Sequence, residues 1–146
     1  MKTGFRLLRM FMIVLVAITM VACNNNDDDN AISDCTEAVC TEVFITLTVF
    51  VQDQNEDVVV LDSFQVINLE NGTDVTPDFS DFEFEQMQEF GSYPLTRDGF
   101  VPMNEVQVLR FKGFMSNVEV ATRDFTVSAD CCHVDWVAGD RVIVID

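Results

Sequence analysis

Five residues carry the side chains best suited to chemistry, and they lie in two groups far apart in the chain. Cys35 and Cys40 form the first group, and Cys131, Cys132 and His133 are consecutive near the end. Four cysteines in an exported chain predict two disulfides, for which three pairings exist. A Cys131–Cys132 bond is disfavoured, because neighbouring strand residues point to opposite faces. We therefore expect the first two cysteines to bond to the last two, with the individual partners left open.

The same residues could instead bind zinc, since Cys-Cys-His and two distant cysteines include the usual zinc ligands. However, the spacing lacks the Cys-x2-Cys pairs of structural zinc sites, and an oxidising compartment favours disulfides. We therefore predict neither a metal nor another cofactor. His133, the only histidine, is expected in a strand beside the disulfides.

A second motif with metal-ligand spacing is Asp53-x-Asn55-x-Asp57, which matches the first ligands of a calcium-binding loop. Such a loop requires Gly at its sixth position and Glu at its twelfth, and here these are Val58 and Phe64. A turn between two strands explains the polar residues better.

The chain offers no recognisable catalytic site. A Ser or Cys nucleophile needs a base, and the only imidazole, that of His133, lies beside thiols expected to be oxidised. Carboxylates are too numerous to single out a glycosidase pair, and no phosphate-binding loop, dinucleotide fingerprint or metalloprotease motif occurs. A binding or structural role is therefore expected, and not an enzyme.

Residues 79–93 interleave aromatic and acidic side chains and are the strongest candidate for ligand contact. Aromatic rings beside carboxylates suit the recognition of sugars or peptides. The residues that could face such a ligand are Phe82, Phe84, Phe90 and Tyr93. The alternative, which we favour, is that these rings cap one end of the hydrophobic core. The surrounding segment is compatible with a short helix or with an irregular excursion.

The beginning of the chain predicts where the protein resides. Lys2, Arg6 and Arg9 precede an almost unbroken apolar run over 10–21, which is the layout of a secretory signal peptide. The run is too short to span a bilayer, which takes about 20 residues. Residues 1–22 are therefore predicted to be a signal peptide.

The residues that follow this run, Met20-Val21-Ala22-Cys23, resemble the lipobox of bacterial lipoproteins, with Met where Leu is usual. The resemblance implies that Cys23 becomes the lipidated first residue, with palmitate-type acyl chains that hold it stably in a membrane. The alternative is an ordinary signal peptide with an incidental cysteine. We predict a lipid-anchored protein of the outer membrane or cell surface, whose membrane contact is the lipid on Cys23.

The segment 24–34 is rich in Asn and Asp and lacks apolar periodicity, so it is predicted to be a flexible tether. An acidic run just after a lipidated cysteine resembles the surface-export signal of Bacteroidota-type lipoproteins. A plain spacer explains the composition equally well. Lipidated Cys23 and this tether together make up residues 23–34.

The composition of the chain after residue 22 limits the classes of partner that it can bind. Removal of the leader leaves 124 of the 146 residues, enough for one domain, with five basic against 25 acidic side chains and a net charge of about −20. Such a charge repels nucleic acid, whose binding needs Lys and Arg to neutralise phosphate. The charge remains compatible with a protein or glycan partner. Thirteen Phe and 49 % apolar residues supply a packed core.

From residue 41 onward the pattern is typical of β-structure. Apolar and polar residues alternate over 41–52, which predicts a strand, and a bend near Asp62 interrupts a second strand over 58–69. Further strands are expected over 106–114 and 118–128, and in a final hairpin of 132–137 and 141–145. Many strands with almost no helix predict an all-β fold, a single antiparallel β-sandwich over 35–146.

Two stretches carry a family resemblance. Residues 51–64 look like the opening strands of carboxypeptidase-regulatory-like, transthyretin-type sandwiches, although Asp57 stands near the place of the usual Gly. Residues 129–134, Ala-Asp-Cys-Cys-His-Val, resemble the end of short Bacteroidota-type lipoproteins. The resemblance implies an immunoglobulin- or transthyretin-like sandwich and an extracytoplasmic location, but it implies no activity.

Overall fold

A computed structural model describes residues 35–146. The predicted signal peptide, Cys23 and the tether, residues 1–34, lie outside the described residues. After a short 3-10 turn (Cys35–Glu37), the elements in chain order are β1 (Thr46–Asp53), β2 (Ser63–Asn68), α1 (Asp81–Phe90), β3 (Ser92–Arg97), β4 (Val106–Met115), β5 (Val118–Ala129), β6 (Val134–Ala138) and β7 (Val142–Ile145).

The strands form two sheets that pack face to face. One sheet has the order β3-β1-β7, and the other has the order β2-β4-β5-β6. Alternation explains the packing, because every second residue of a strand points to the same face. In β1 the residues that face inward are Leu47, Val49 and Val51, all buried. The predicted all-β sandwich is therefore confirmed.

The core lies between the sheets and receives side chains from all seven strands. Its largest fully buried side chains are Tyr93, Phe111, Phe125, Leu61, Leu95 and Leu109. Gly113 lies among them on β4 because a Cβ at this position would meet Leu61 Cδ1 at 2.6 Å. Leu61 therefore packs directly against the backbone of β4 at Gly113.

One strand pair is parallel, and it shows that the predicted final hairpin is wrong. β6 pairs with β5, whereas β7 crosses to the other sheet and pairs parallel with β1, with Phe50 beside Val142. The crossing passes through Gly139, at φ 115°, where a Cβ would lie 2.5 Å from the Phe125 ring. The guanidinium of Arg123 on β5 donates to the Val142 carbonyl at 2.9 Å and ties the two sheets together there. The alternation of apolar and polar residues predicts which side chains of a strand face inward, but it does not identify the neighbouring strand.

The predicted second strand begins later than expected. Its regular part starts at Ser63, and the chain bends at Asp62, where a bend was expected. Leu61 before the bend is fully buried, and its amide N–H donates to the Tyr93 hydroxyl at 2.9 Å. Leu61 therefore belongs to the core without belonging to a sheet.

The ambiguous aromatic segment contains a helix, α1. Ser80 caps it, since its hydroxyl accepts from the Glu83 amide at 3.3 Å while the Glu83 carboxylate accepts from the Ser80 amide at 2.7 Å. This reciprocal pair is a capping box. The helix ends at Gly91, which is left-handed at φ 59°, a conformation that costs a glycine little.

The sandwich has two ends of different construction. Thr46 at the start of β1 pairs with Arg97 at the end of β3, and Phe50 pairs with Ser92. The helix α1, which runs directly into β3, therefore lies at the opposite end from the start of β1. We call these the helix end and the disulfide end, the latter comprising residues 35–45, 98–105 and 129–134.

Candidate functional site: the disulfide end

Two disulfides join the first described residues to the turn between β5 and β6. Cys35 is bonded to Cys131 and Cys40 to Cys132, with Cα–Cα distances of 5.3 Å in both. The expected pairing of the first two cysteines with the last two is confirmed, and the individual partners are now defined. Each bond closes a loop of more than 90 residues, with separations of 96 and 92. The chain is therefore cross-linked where it enters the domain.

His133 adds a polar connection beside these bonds. Its Nδ1 lies 2.9 Å from Asp98 Oδ2, and its Nε2 lies 3.0 Å from the hydroxyl of Thr41. Since a carboxylate accepts hydrogen bonds, Nδ1 carries a proton, and in the neutral imidazole Nε2 accepts the Thr41 hydroxyl proton. His133 lies just before β6 and not inside a strand as predicted. It connects residues 35–45, through which the chain enters the domain (the entering segment), to the loop after β3.

Asp98 is the polar centre of this end. Its side chain is only 10 % exposed, and it accepts the backbone amides of Ile45 and Val134, each at 2.8 Å, besides the imidazole. Burial opposes ionisation, but these three hydrogen bonds outweigh it and hold the pKa of Asp98 below its ordinary range. One ionised carboxylate thus joins the residue before β1, the loop after β3 and the start of β6.

Asp130 shapes the turn that carries the cysteines. Its Oδ1 accepts the amides of Cys132 and His133, each at 2.7 Å. These two hydrogen bonds stabilise the ionised form and lower the pKa of Asp130. The turn therefore presents Cys131 and Cys132 in a fixed geometry to their partners.

The order hydroxyl, imidazole, carboxylate in Thr41, His133 and Asp98 is that of a hydrolase triad. Acyl transfer also needs amides aimed at a developing oxyanion. The two amides beside the imidazole, those of Cys132 and His133, both donate to Asp130. The hydrogen bonds at this end therefore converge on holding the entering segment in place.

A small cavity of about 170 Å³ lies beside this cluster. Asp98, His133 and the Cys131–Cys132 turn form its polar side, and Val101 and Met103 form its apolar side. A second, open depression of about 430 Å³ lies over β4 and β5. Its cations are paired across the strands, Arg110 with Asp124 at 2.6 Å and Lys112 with Glu119 at 3.0 Å. The charged side chains that line the two hollows already have protein partners.

The four residues expected to face a ligand separate into two pairs. Tyr93 is fully buried, its hydroxyl bonded to the Leu61 amide, so it does not face a ligand. Phe84 is partly buried and stacks on Phe64 at 6.4 Å, as the core-capping alternative predicts. Phe82 and Phe90 remain exposed on α1.

The residues considered as metal ligands have other roles. All four cysteines of residues 35–146 are disulfide-bonded, so the zinc alternative has no thiolates. Asp53 accepts the amides of Asn55 at 2.7 Å and Asp57 at 3.0 Å, which lowers its pKa and closes the turn after β1. Within residues 35–146, no group of His, Cys, Asp and Glu has the arrangement of a metal site.

Sequence reasoning identified the cysteines and His133 but missed Thr41 and Asp98. Asp98 and Gly99 form an Asp-Gly pair, which is common in turns, so the local sequence indicates only a turn there. It precedes His133 by 35 residues, and nothing in that spacing indicates contact. An aspartate buried by long-range pairing leaves no local signal in a single sequence.

No helix within residues 35–146 is long and apolar enough to cross a bilayer. Comparisons with known proteins add no relative: the chain matches no protein-family model, no curated protein and no solved structure.

Proposed function

We propose that this protein is a lipid-anchored, extracytoplasmic β-sandwich that serves as an accessory or interaction module at the outer membrane or cell surface. The observation that carries the proposal is the pair of disulfides at the point where the predicted tether enters the domain. Disulfides persist in oxidising compartments, which agrees with export. Cross-linking at the entry point suits a domain held through its N-terminal side.

The polar cluster supports a structural role for the disulfide end and not a catalytic one. Thr41, His133 and Asp98 hold the entering segment, and the amides beside His133 are occupied. We therefore propose no enzymatic activity for this cluster.

A second candidate function is recognition of a glycan or peptide through the helix end. The observation that favours it is the exposure of Phe82 and Phe90 on one short helix that also carries acidic side chains. Aromatic side chains are enriched at protein interaction surfaces relative to the rest of the surface. Binding of a glycan or peptide panel, lost in a Phe82→Ala/Phe90→Ala variant, would establish this function.

Metabolic labelling tests the anchor. Cells that express the protein are fed an alkynyl fatty acid, and the purified protein is assayed for the label. We expect label on the unchanged protein and none on Cys23→Ala. A Cys40→Ala/Cys132→Ala variant is the matched control, because it also removes cysteine but leaves the proposed lipid site, and it should keep the label. Equal labelling of Cys23→Ala and the unchanged protein would refute the anchor.

A further inference from the structure

Several apolar side chains at the disulfide end are exposed to solvent. Phe44 and Met103 are each 63 % exposed, and three more large apolar residues there are also exposed. The complete set, called the apolar rim below, is Val39, Val43, Phe44, Phe100 and Met103. Large exposed apolar side chains gathered at one end of a domain indicate a contact site.

The rim residues surround the disulfides and the Asp98 cluster. Val39 directly precedes Cys40, and Phe44 directly precedes Ile45, whose carbonyl accepts the Asp98 amide at 3.0 Å. Met103 lines the small cavity with Cys131 and Cys132. The rim is therefore part of the same end of the sandwich and not a set of scattered surface residues.

The tether leads to this end. Eleven residues, 24–34, lie between the predicted lipid site, Cys23, and the first disulfide-bonded residue, Cys35. The twelve residue-to-residue steps from Cys23 to Cys35 span at most about 43 Å when extended, so the domain stays close to the membrane that holds the lipid. The disulfides fix Cys35 and Cys40 to the rim side, whereas α1 lies at the opposite end.

We propose that the apolar rim rests on the lipid bilayer, with Phe44, Phe100 and Met103 at the boundary of headgroups and acyl chains. This inference rests on the proposed lipid anchor at Cys23. Aromatic and apolar side chains favour that boundary, and tethering makes the contact effectively intramolecular, so a few side chains suffice. The helix end then faces away from the membrane.

The charge near the rim selects the lipid. Glu37 and Glu42 lie exposed on the entering segment, while Arg97 lies over the Phe100 ring at 4.5 Å. Acidic side chains are repelled by anionic headgroups. The surface that the rim contacts is therefore zwitterionic lipid, such as phosphatidylethanolamine and phosphatidylcholine.

Hydroxyl-radical footprinting of the mature lipidated protein in vesicles of these two lipids tests the inference. Phe44 at 63 % and Phe82 at 68 % exposure should react at nearly equal rates if both face water. We expect Phe44 and Met103 to react about threefold more slowly than their exposure predicts, and Phe82 and Phe90 to react at the full rate. Equal rates at Phe44 and Phe82 would overturn the inference.

The mass of the labelled protein separates the inference from the anchor on which it depends. Acyl chains on Cys23 together with an unprotected rim would overturn the bilayer contact but leave the anchor. Absence of acyl chains would overturn both. Protection that increases with the protein-to-lipid ratio would show that a second copy covers the rim, and would also overturn the bilayer contact.

A matched pair of variants provides an independent readout. Contact of the rim with the bilayer should shield the tether at 24–34 from added protease. Phe44→Ser/Met103→Ser should therefore raise tether cleavage about threefold in vesicles, whereas Phe82→Ser/Phe90→Ser should not change it. Equal cleavage of the two variants, each with unchanged far-ultraviolet circular dichroism, would contradict the proposed contact.

Discussion

The two ends of this sandwich are held by different forces. Over residues 36–44 at the disulfide end every side chain is exposed, so burial contributes little to holding this segment. Two disulfides and the hydrogen bonds of Asp98, His133 and Thr41 hold it instead. A segment that cannot bury apolar surface must offset its ordering entropy by covalent and polar bonds.

The helix end is held by aromatic packing. The ring of Phe64 lies near four others, with centroid distances of 5.2 Å to Phe79, 6.4 Å to Phe84, 5.5 Å to Tyr93 and 5.7 Å to Phe111. Such contacts add to the free energy of area burial and need no covalent bond. The comparison teaches that this chain places its covalent cross-links on the segment that buries little apolar surface.

The largest expected effect is loss of both disulfides. In the chain-entropy model, the first bond closes a loop of more than 90 residues and contributes about 4.7 kcal/mol. The second then closes a ring of only about eight residues and contributes about 2.5 kcal/mol. Replacing either pair by Ala should therefore cost about 2.5 kcal/mol, but replacing both should cost about 7 kcal/mol. Denaturant unfolding of the three variants measures this, and strictly additive losses would contradict the shared loop.

A large effect is also expected from truncation at the helix end. Phe111 is fully buried between Phe64 and Tyr93, so Phe111→Ala leaves a cavity and should cost about 3–5 kcal/mol in unfolding free energy. Phe90→Ala on the exposed face of α1 is the control and should change stability by less than about 0.5 kcal/mol. Similar losses in the two variants would refute aromatic packing as the force at this end.

A smaller effect is expected from the carboxylate at the disulfide end. The folded pKa of Asp98 lies below its ordinary value of 3.8, so the ionised form stabilises the fold above about pH 4. This stabilisation is lost as the pH falls below 3.8 and through the lower folded pKa. Asp98→Asn should lower the free energy of unfolding by about 2 kcal/mol at pH 7. It should also weaken the fall of that free energy with decreasing pH.

Hydrogen exchange between pH 6 and pH 2 measures that dependence locally. The amides of Ile45 and Val134 donate to Asp98, so their protection should fall with pH in the unchanged protein and be low throughout in Asp98→Asn. Asp130 also has a lowered pKa, so the variant keeps a residual slope. The same loss of amide protection with falling pH in the two proteins would exclude the assigned role of Asp98.

The smallest effect is expected from the helix cap. Ser80→Ala removes the acceptor for the Glu83 amide and should cost about 1 kcal/mol. Because α1 has no fully buried residue, the loss should appear as faster exchange of the helix amides, with little change at the disulfide end. Destabilisation that reaches Ile45 or Val134 would show that the two ends are coupled.

The sequence predicted the features whose signals are local. Alternation of apolar residues identified the inward face of β1, and the even cysteine count predicted the disulfides. Both depend on the chemistry of neighbouring positions, which a single sequence contains.

Features created by long-range contact could not be predicted in this way. Asp98 becomes a largely buried polar centre only because Ile45 before β1 and Val134 of β6 come to the loop after β3. The Tyr93 hydroxyl finds its partner 32 residues away at Leu61. The same reason explains β7, whose four residues suit either sheet and pair with β1 only in the folded chain. The contacts at these positions depend on the order of the strands in the two sheets, which the alternation of apolar residues does not specify.

The intact mass of the membrane-purified protein, alkylated with and without prior reduction, tests the central claim most directly. We predict a chain that begins at Cys23 and carries acyl chains, with four thiols that react only after reduction. A mass without acyl chains would contradict the membrane anchor, and thiols that react without reduction would contradict the disulfide end as described.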